Sequence, residues 1–206
     1  MARRSTPEVN AGSMADIAFL LLIFFLVTTT IEKDSGIARQ LPPIEDIIDP
    51  PKIRERNLFI VNVNRNDQLM VNDELMQLKD LRENAIDFLD NGGAKSGTAD
   101  YCDYCQGERS PTSSDNPDKA VISVQNDRLT SYKMYIAVQN ELVAAYNYLR
   151  DRESERLFGW KYTEMSSALE EGNYRGDVDA LKEKLVQIQK MYPMKLSEAE
   201  PKKSGS

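Results

Sequence analysis

The chain has 206 residues, 41% of them hydrophobic, and a formal net charge of −7. It contains no histidine, so the usual proton shuttle at neutral pH and the most common metal ligand are absent, and any proton chemistry must fall to carboxylate, lysine, cysteine or tyrosine side chains. The acidic balance argues against nucleic acid as a partner, because phosphate binding needs a basic surface.

An apolar segment near the amino terminus is predicted to be a transmembrane helix. Residues 17–27 are strictly apolar, and residues 14–31 give 18 residues, or about 27 Å of helix. That length nearly covers a hydrocarbon core of about 30 Å. A cleaved signal peptide is the main alternative, but no small-residue cleavage motif follows the segment. Arg3 and Arg4 are then expected to keep residues 1–13 in the cytoplasm, which puts the acidic remainder in the periplasm of a bacterium.

A single carboxylate, Asp16, lies inside this apolar segment. Ser13 to Asp16 matches the S-x-x-D pattern of a helix start, so Asp16 could be no more than a helix cap. A carboxylate at bilayer depth is costly, however, and such residues usually face protein or water and serve ion pathways. Asp16 could then carry protons across the membrane. Its helical face would also carry Leu20, Ile23, Val27 and Thr30. Thr30 is a candidate polar residue for lining the path.

Two further segments flank a predicted folded domain. Residues 32–55 are rich in proline and charge, which favours an extended periplasmic linker. Residues 151–206 are predicted to be a helical extension, broken near residues 172–176, that ends in a disordered tail from residue 197 onward.

The domain itself is predicted at residues 56–150. Hydrophobic alternation and helical spacing give, in chain order, two strands, a helix, a third strand and a second helix, at residues 58–63, 68–71, 78–89, 121–124 and 131–149. This order, ββαβα, predicts a small α/β sandwich with helices on one sheet face. The fold class is therefore one transmembrane helix, a small α/β periplasmic domain and a helical carboxyl-terminal extension.

Residues 91–118 interrupt the domain as an inserted surface loop, hereafter the insert, rich in glycine, serine and aspartate. It contains Cys102 and Cys105 in a C-x-x-C pattern. A local disulfide that clips the loop is the simplest interpretation. A zinc site would need two more ligands, which a second chain would have to supply to make a site of four cysteines. A redox C-x-x-C normally opens a helix beside a strand, a context that the insert lacks.

These parts, in this order, resemble the ExbD/TolR family of biopolymer transport proteins. The sharpest element is Asp16 followed by the apolar residues 17–27. Supporting elements are Leu41-Pro42, residues 121–127 and Tyr132. The resemblance covers roughly residues 7–149, with a gap at the insert, and the insert and the extension are not part of the usual family pattern.

The resemblance implies a subunit of a proton channel and motor in the bacterial inner membrane, not an enzyme, with the proton as coupling ion and no cofactor. ExbD-like chains act as dimers within rings of ExbB-like subunits, and a TonB-like protein carries the motion to outer-membrane transporters. The family's essential membrane carboxylate maps onto Asp16. Two alternatives are a TolR-type subunit of an envelope-maintenance motor and an anchored periplasmic binding module in which Asp16 is only a cap.

Overall fold

A computed structural model describes residues 11–28, 53–172 and 174–199 of the chain. The chain divides into two compact units, Met1–Asp49 and Pro50–Ser206. Most of the predicted linker lies outside the described residues.

Helix α1 (Ala11–Thr28) is the described part of the first unit, and its side chains are described at residues 12 and 14–25. Leucine, isoleucine and phenylalanine dominate its second half, and no proline interrupts it. The helix begins three residues before Met14, the predicted start. Within the part of the chain that the structure describes, no helix combines the length and hydropathy needed to cross a membrane.

The second unit is built on a five-stranded mixed sheet. Its strands are β1 (Leu58–Val63), β2 (Leu69–Val71), β3 (Glu74–Met76), β4 (Val121–Asn126) and β5 (Leu196–Ala199). The spatial order is β3-β2-β1-β4-β5. The first three strands form an antiparallel meander, whereas β4 pairs in parallel with both β1 and β5. Parallel neighbours need long crossover connections, and the helices of this unit supply them.

The tight turn between β2 and β3 follows from its residue types. Asn72 and Asp73 have φ values of 48° and 70°, the left-handed conformation that a two-residue hairpin turn requires. The Asn72 side chain also accepts a hydrogen bond from the Ile60 backbone N–H at 3.0 Å. This side chain therefore ties the turn to β1.

Helices α2 (Leu78–Leu89) and α3 (Tyr132–Phe158) cover one face of the sheet. Alternate strand residues point into this layer, among them Phe59, Val61, Val63, Ile122 and Val124. The helices meet them with apolar stripes that include Leu81, Ala85, Leu142 and Leu149. Each large apolar side chain buried in this way contributes about 1.5–3 kcal/mol. The predicted small α/β domain is confirmed, with a mixed sheet of five strands where the sequence indicated three.

The ends of α3 have clear local causes. Ser131 precedes the helix and accepts a hydrogen bond from the Met134 N–H at 3.2 Å, which caps its amino terminus. Gly159 ends it in the left-handed conformation, with φ of 69°. The helix therefore extends nine residues beyond Leu149, the predicted end.

Two further helices follow, α4 (Tyr162–Glu170) and α5 (Val178–Met191), and they enclose a second apolar cluster. The predicted break near residues 172–176 falls between them. The prediction of a disordered tail is wrong for residues 197–199, because β5 is paired with β4 along its length. Residues 200–206 of the predicted tail lie outside the described residues. Helices α4 and α5 thus lie in the connection between α3 and β5, the last strand of the sheet.

Polar contacts order the insert. The Asn91 side chain donates to the carbonyl oxygens of Ser110 and Ser114, at 2.9 and 2.7 Å, and accepts from the Ser110 N–H at 2.9 Å. Gly92 has φ of 62°, and a Cβ there would lie 2.8 Å from the Cβ of Cys105, so only glycine fits this close approach. The predicted surface loop is partly buried, and the Asn91 side chain holds its main chain through hydrogen bonds.

Candidate functional site

Asp16 is the sixth residue of α1 and its side chain is exposed. A capping side chain acts on the free N–H groups of the first helical turn, and that turn contains no acidic residue. Ser13, the predicted cap, is the third residue of the helix. The capping interpretation of Asp16 therefore does not match its position.

Apolar side chains surround Asp16 on α1. The large exposed ones are Met14, Ile17, Phe19, Leu20, Leu21, Leu22, Ile23, Phe24 and Phe25. Leu20 and Ile23 follow Asp16 by four and seven residues and share its helical face. Of the other predicted members of that face, the Val27 side chain and all of Thr30 lie outside the described residues. Between residues 14 and 25, α1 thus presents one carboxylate on an otherwise apolar surface.

A carboxylate in such surroundings can bind and release a proton or pair with a cation from another chain. Metal binding would need several ligands together. In the described ranges, no group of three or more cysteine, aspartate or glutamate side chains is placed to hold a metal ion.

The two cysteines of the insert form a disulfide, with their Cα atoms 5.5 Å apart. Both are buried, and Arg109 donates from Nη2 to the carbonyl oxygens of Cys102 and Cys105 at 3.1 and 3.0 Å. Sulfur atoms joined in a disulfide are not the thiolates that bind zinc. The arrangement holds a compact loop closed.

The disulfide loop presents Tyr104 to the end of α5. The Tyr104 hydroxyl donates to the carbonyl oxygen of Met191 at 2.8 Å, and its ring packs edge-on against Tyr192 with centroids 5.5 Å apart. Burial raises the pKa of Tyr104 to about 12, and the nearby carboxylates of Asp103 and Asp118 act in the same direction. Tyr104 therefore stays neutral at physiological pH and links the insert to α5.

A cluster of buried charges lies on α3. The Glu153 carboxylate is fully buried between two guanidinium groups, with Oε1 3.2 Å from Arg152 Nε and Oε2 2.7 Å from Arg156 Nε. Arg150 donates from Nε and Nη2 to the carbonyl oxygen of Tyr192 at 3.0 and 2.7 Å, and burial lowers the pKa of Arg150. The Glu153 ion pairs lie within α3, and Arg150 fixes α3 to Tyr192 after α5, so the cluster suits a structural role.

The burial of Glu153 is not among the features predicted from the sequence, although the sequence contains a signal for it. Glu153 follows Leu149 by four residues and so continues the stripe that includes Val138 and Leu142. Asp115, a second buried acid, lies in the insert, where no periodic pattern exists. Its burial depends on partners far away in the sequence.

Comparison with known proteins identifies a matching family. The sequence model of a family described as "Biopolymer transport protein ExbD/TolR" matches residues 2–150, more than two thirds of the chain. The matched range includes α1 with Asp16, the first four strands and α2, and it ends within α3. A search among curated proteins finds no match.

Proposed function

The chain belongs to the ExbD/TolR family of biopolymer transport proteins, as its sequence predicts, and we propose that it is the ExbD-type subunit of a proton-driven motor in the inner membrane. Membership makes the chain a subunit that energises biopolymer transport. Proteins of this family generally work with ExbB- or TolQ-type membrane partners and with TonB- or TolA-like proteins. The specific partners and the coupling ion proposed for this chain go beyond that membership.

The observation that carries the proposal is Asp16 on α1. Family members are generally anchored in a membrane, and the apolar sequence segment at residues 14–31 would extend about 27 Å if wholly helical, close to the thickness of a hydrocarbon core. The exposed apolar side chains of α1 favour lipid or partner helices as their surroundings. A carboxylate among them would need a partner subunit, because one helix cannot shield it from lipid. We therefore assign residues 14–31 as a single-pass anchor, with residues 1–13 in the cytoplasm.

Proton transfer then follows from the chemistry of one carboxylate. Asp16 would bind a proton from the periplasmic side while it faces one part of the partner ring, and release it toward the cytoplasm from another. The charge on Asp16 changes between the two states, so its preferred surroundings change as well. That difference could drive the movement of α1 relative to ExbB-like subunits. A dimer of this chain would place two such carboxylates in one ring, and a TonB-like protein would receive the motion.

The test is Asp16→Asn in the full chain, expressed with its ExbB-like partner. Asparagine keeps the shape of the side chain but cannot bind and release a proton. We expect the complex to assemble at the normal level, while energy-dependent uptake and proton flux into vesicles are both lost. Full uptake by Asp16→Asn would refute a proton-carrying role, and so would loss of assembly with normal proton flux per assembled complex.

Two controls sharpen this test. Asp16→Glu keeps a titratable group on a longer side chain, so it should retain measurable proton flux where Asp16→Asn retains none. Replacing sodium by potassium in the medium should leave uptake unchanged, because the proposed coupling ion is the proton. A sodium requirement would overturn the choice of ion.

A further inference from the structure

A buried carboxylate in the insert holds the segment through which the chain enters the sheet. Asp115 is only 1% exposed. Its Oδ2 accepts a hydrogen bond from Asn57 Nδ2 at 3.0 Å, and its backbone N–H donates to Asn57 Oδ1 at 2.8 Å. Asn57 is also buried and immediately precedes β1. The two residues are 58 positions apart in the sequence and bind each other reciprocally.

Two arginines of the incoming segment, residues 54–57, complete the surroundings of this carboxylate. Nη1 of Arg54 lies 3.5 Å from Oδ2, and Nη2 of Arg56 contacts Oδ1. Arg56 also donates from Nη1 to the carbonyl oxygen of Pro111 at 3.0 Å. Charge-assisted hydrogen bonds of this kind are roughly twice as strong as neutral ones. Side chains thus bind the incoming segment to the insert just ahead of Leu58, where the main-chain pairing of β1 with β4 begins.

The insert also holds the chain at a second strand. Lys195 immediately precedes β5, and its Nζ lies 2.9 Å from Oδ1 of Asp118, at the end of the insert. Tyr104 binds the carbonyl oxygen of Met191 a few residues earlier. Because β1, β4 and β5 are parallel, the chain enters β1 and β5 at the same end of the sheet's strands. One insert therefore contacts both points where the chain enters these strands.

We propose that the insert is a mechanical clamp, which passes tension from the incoming segment to the body of the domain. This inference rests on the proposed function, because a moving membrane anchor would put tension on the part of the chain that precedes β1. Without the clamp, tension would act directly on Leu58 and on the main-chain hydrogen bonds that pair β1 with β4. With it, the contacts of Asp115 with Arg56 and Asn57 must break together before β1 is loaded.

The test applies force to single molecules of the full chain in detergent micelles. Handles are attached through Lys52→Cys and Ser206→Cys, so that tension reaches the domain through the incoming segment. The natural cysteines are joined to each other and do not react with the handles. At constant force, Asp115→Asn should make the first rupture about tenfold faster or more, because the buried carboxylate charge that binds the incoming segment is lost.

The matched control is Asp100→Asn, also in the insert. The Asp100 carboxylate pairs with Lys119 Nζ at 2.5 Å and has no contact with the incoming segment among those described. This variant should rupture at the unmodified rate. In a second geometry, handles at Asn66→Cys and Ser206→Cys apply tension beyond β1, and Asp115→Asn should then change the rate far less. An equal acceleration in both geometries would mean that Asp115 contributes general stability only, and the clamp would be refuted.

A second variant covers the case in which Asp115→Asn does not fold. Arg56→Gln removes a partly exposed guanidinium and leaves Asn57 bound to Asp115. It should accelerate rupture in the first geometry alone, and an unchanged rate would overturn the clamp. Force is applied externally, so the result does not depend on whether Asp16 carries protons. Failure of the clamp and failure of the proposed function are thereby separate outcomes.

Discussion

Arg152 binds Asp90 through two parallel contacts, with Nη1 2.7 Å from Oδ2 and Nη2 2.9 Å from Oδ1. Asp90 follows the last residue of α2, and Arg152 lies 62 residues later on α3. The Tyr192 hydroxyl donates to Asp90 Oδ1 at 2.7 Å. Burial raises the pKa of Tyr192, and the neighbouring Asp90 carboxylate raises it further. The pair therefore joins α2, α3 and the segment after α5.

Asp90→Asn should lower the free energy of unfolding by about 2–3 kcal/mol, because Arg152 would lose its bidentate carboxylate while it stays largely buried. Denaturant titration of the purified chain measures the change. Asp103→Asn is the control: this exposed carboxylate lies in the disulfide loop, and its loss should shift the free energy by less than about 0.5 kcal/mol. Equal effects of the two variants would contradict a structural role for the Asp90–Arg152 pair.

Tyr104 gives a prediction about alkaline pH. Its pKa in the folded chain is about 12, above the ordinary tyrosine value, so its contribution to stability is complete below about pH 10 and is lost as the pH rises toward 12. Tyr104→Phe should cost about 1 kcal/mol at pH 8, through the lost bond to Met191. The difference between the two chains should shrink as the pH rises to 11. Chemical denaturation at each pH measures it.

A constant difference between the Tyr104→Phe variant and the unmodified chain from pH 8 to 11 would contradict this assignment. Tyr148→Phe is the control, because the Tyr148 side chain is exposed on α3. At pH 8 this variant should remain within about 0.5 kcal/mol of the unmodified chain.

The sequence was sufficient to predict the central elements of the domain. Strand β1 is rich in apolar residues and alternates in its later half, and α3 begins at a serine cap followed by a long apolar stripe. These signals are local, so a single sequence contains them in full. The family could also be inferred from the sequence, because Asp16 within an apolar helix is an unusual combination.

The remaining parts, β3, β5 and the insert, depend on contacts between residues that are distant in the sequence. Strand β3 has three residues and no buried side chain, and in β5 only Leu196 is buried, so neither presents a clear alternating pattern. Strand β5 forms because β4 offers it an edge for pairing. The insert is ordered by polar pairs such as Asn57 with Asp115, whose members lie 58 residues apart. No local pattern indicates such pairs.

Leu196→Ala tests whether β5 is an integral part of the sheet. Leu196 is 8% exposed, lies opposite Ile122 in β4 and belongs to the main core cluster. Its truncation should lower the free energy of unfolding by about 2–3 kcal/mol. Ser197→Ala, at the exposed next position of the same strand, should have little effect. Two neutral substitutions would instead indicate that this segment contributes nothing to the folded domain.

The proposed orientation can be tested with a thiol label that does not cross the inner membrane. Cys102 and Cys105 are poor reporters, because both are buried and bonded to each other. Leu129 lies between β4 and α3 and is 70% exposed, so Leu129→Cys offers a reactive thiol on the second unit. If this unit is periplasmic, the label should react with Leu129→Cys in cells whose inner membrane is intact.

The control Thr6→Cys lies in the proposed cytoplasmic segment and should react only after lysis. Labelling of Thr6→Cys in intact cells, with protection of Leu129→Cys, would reverse the orientation, and α1 could then no longer carry motion to a periplasmic partner.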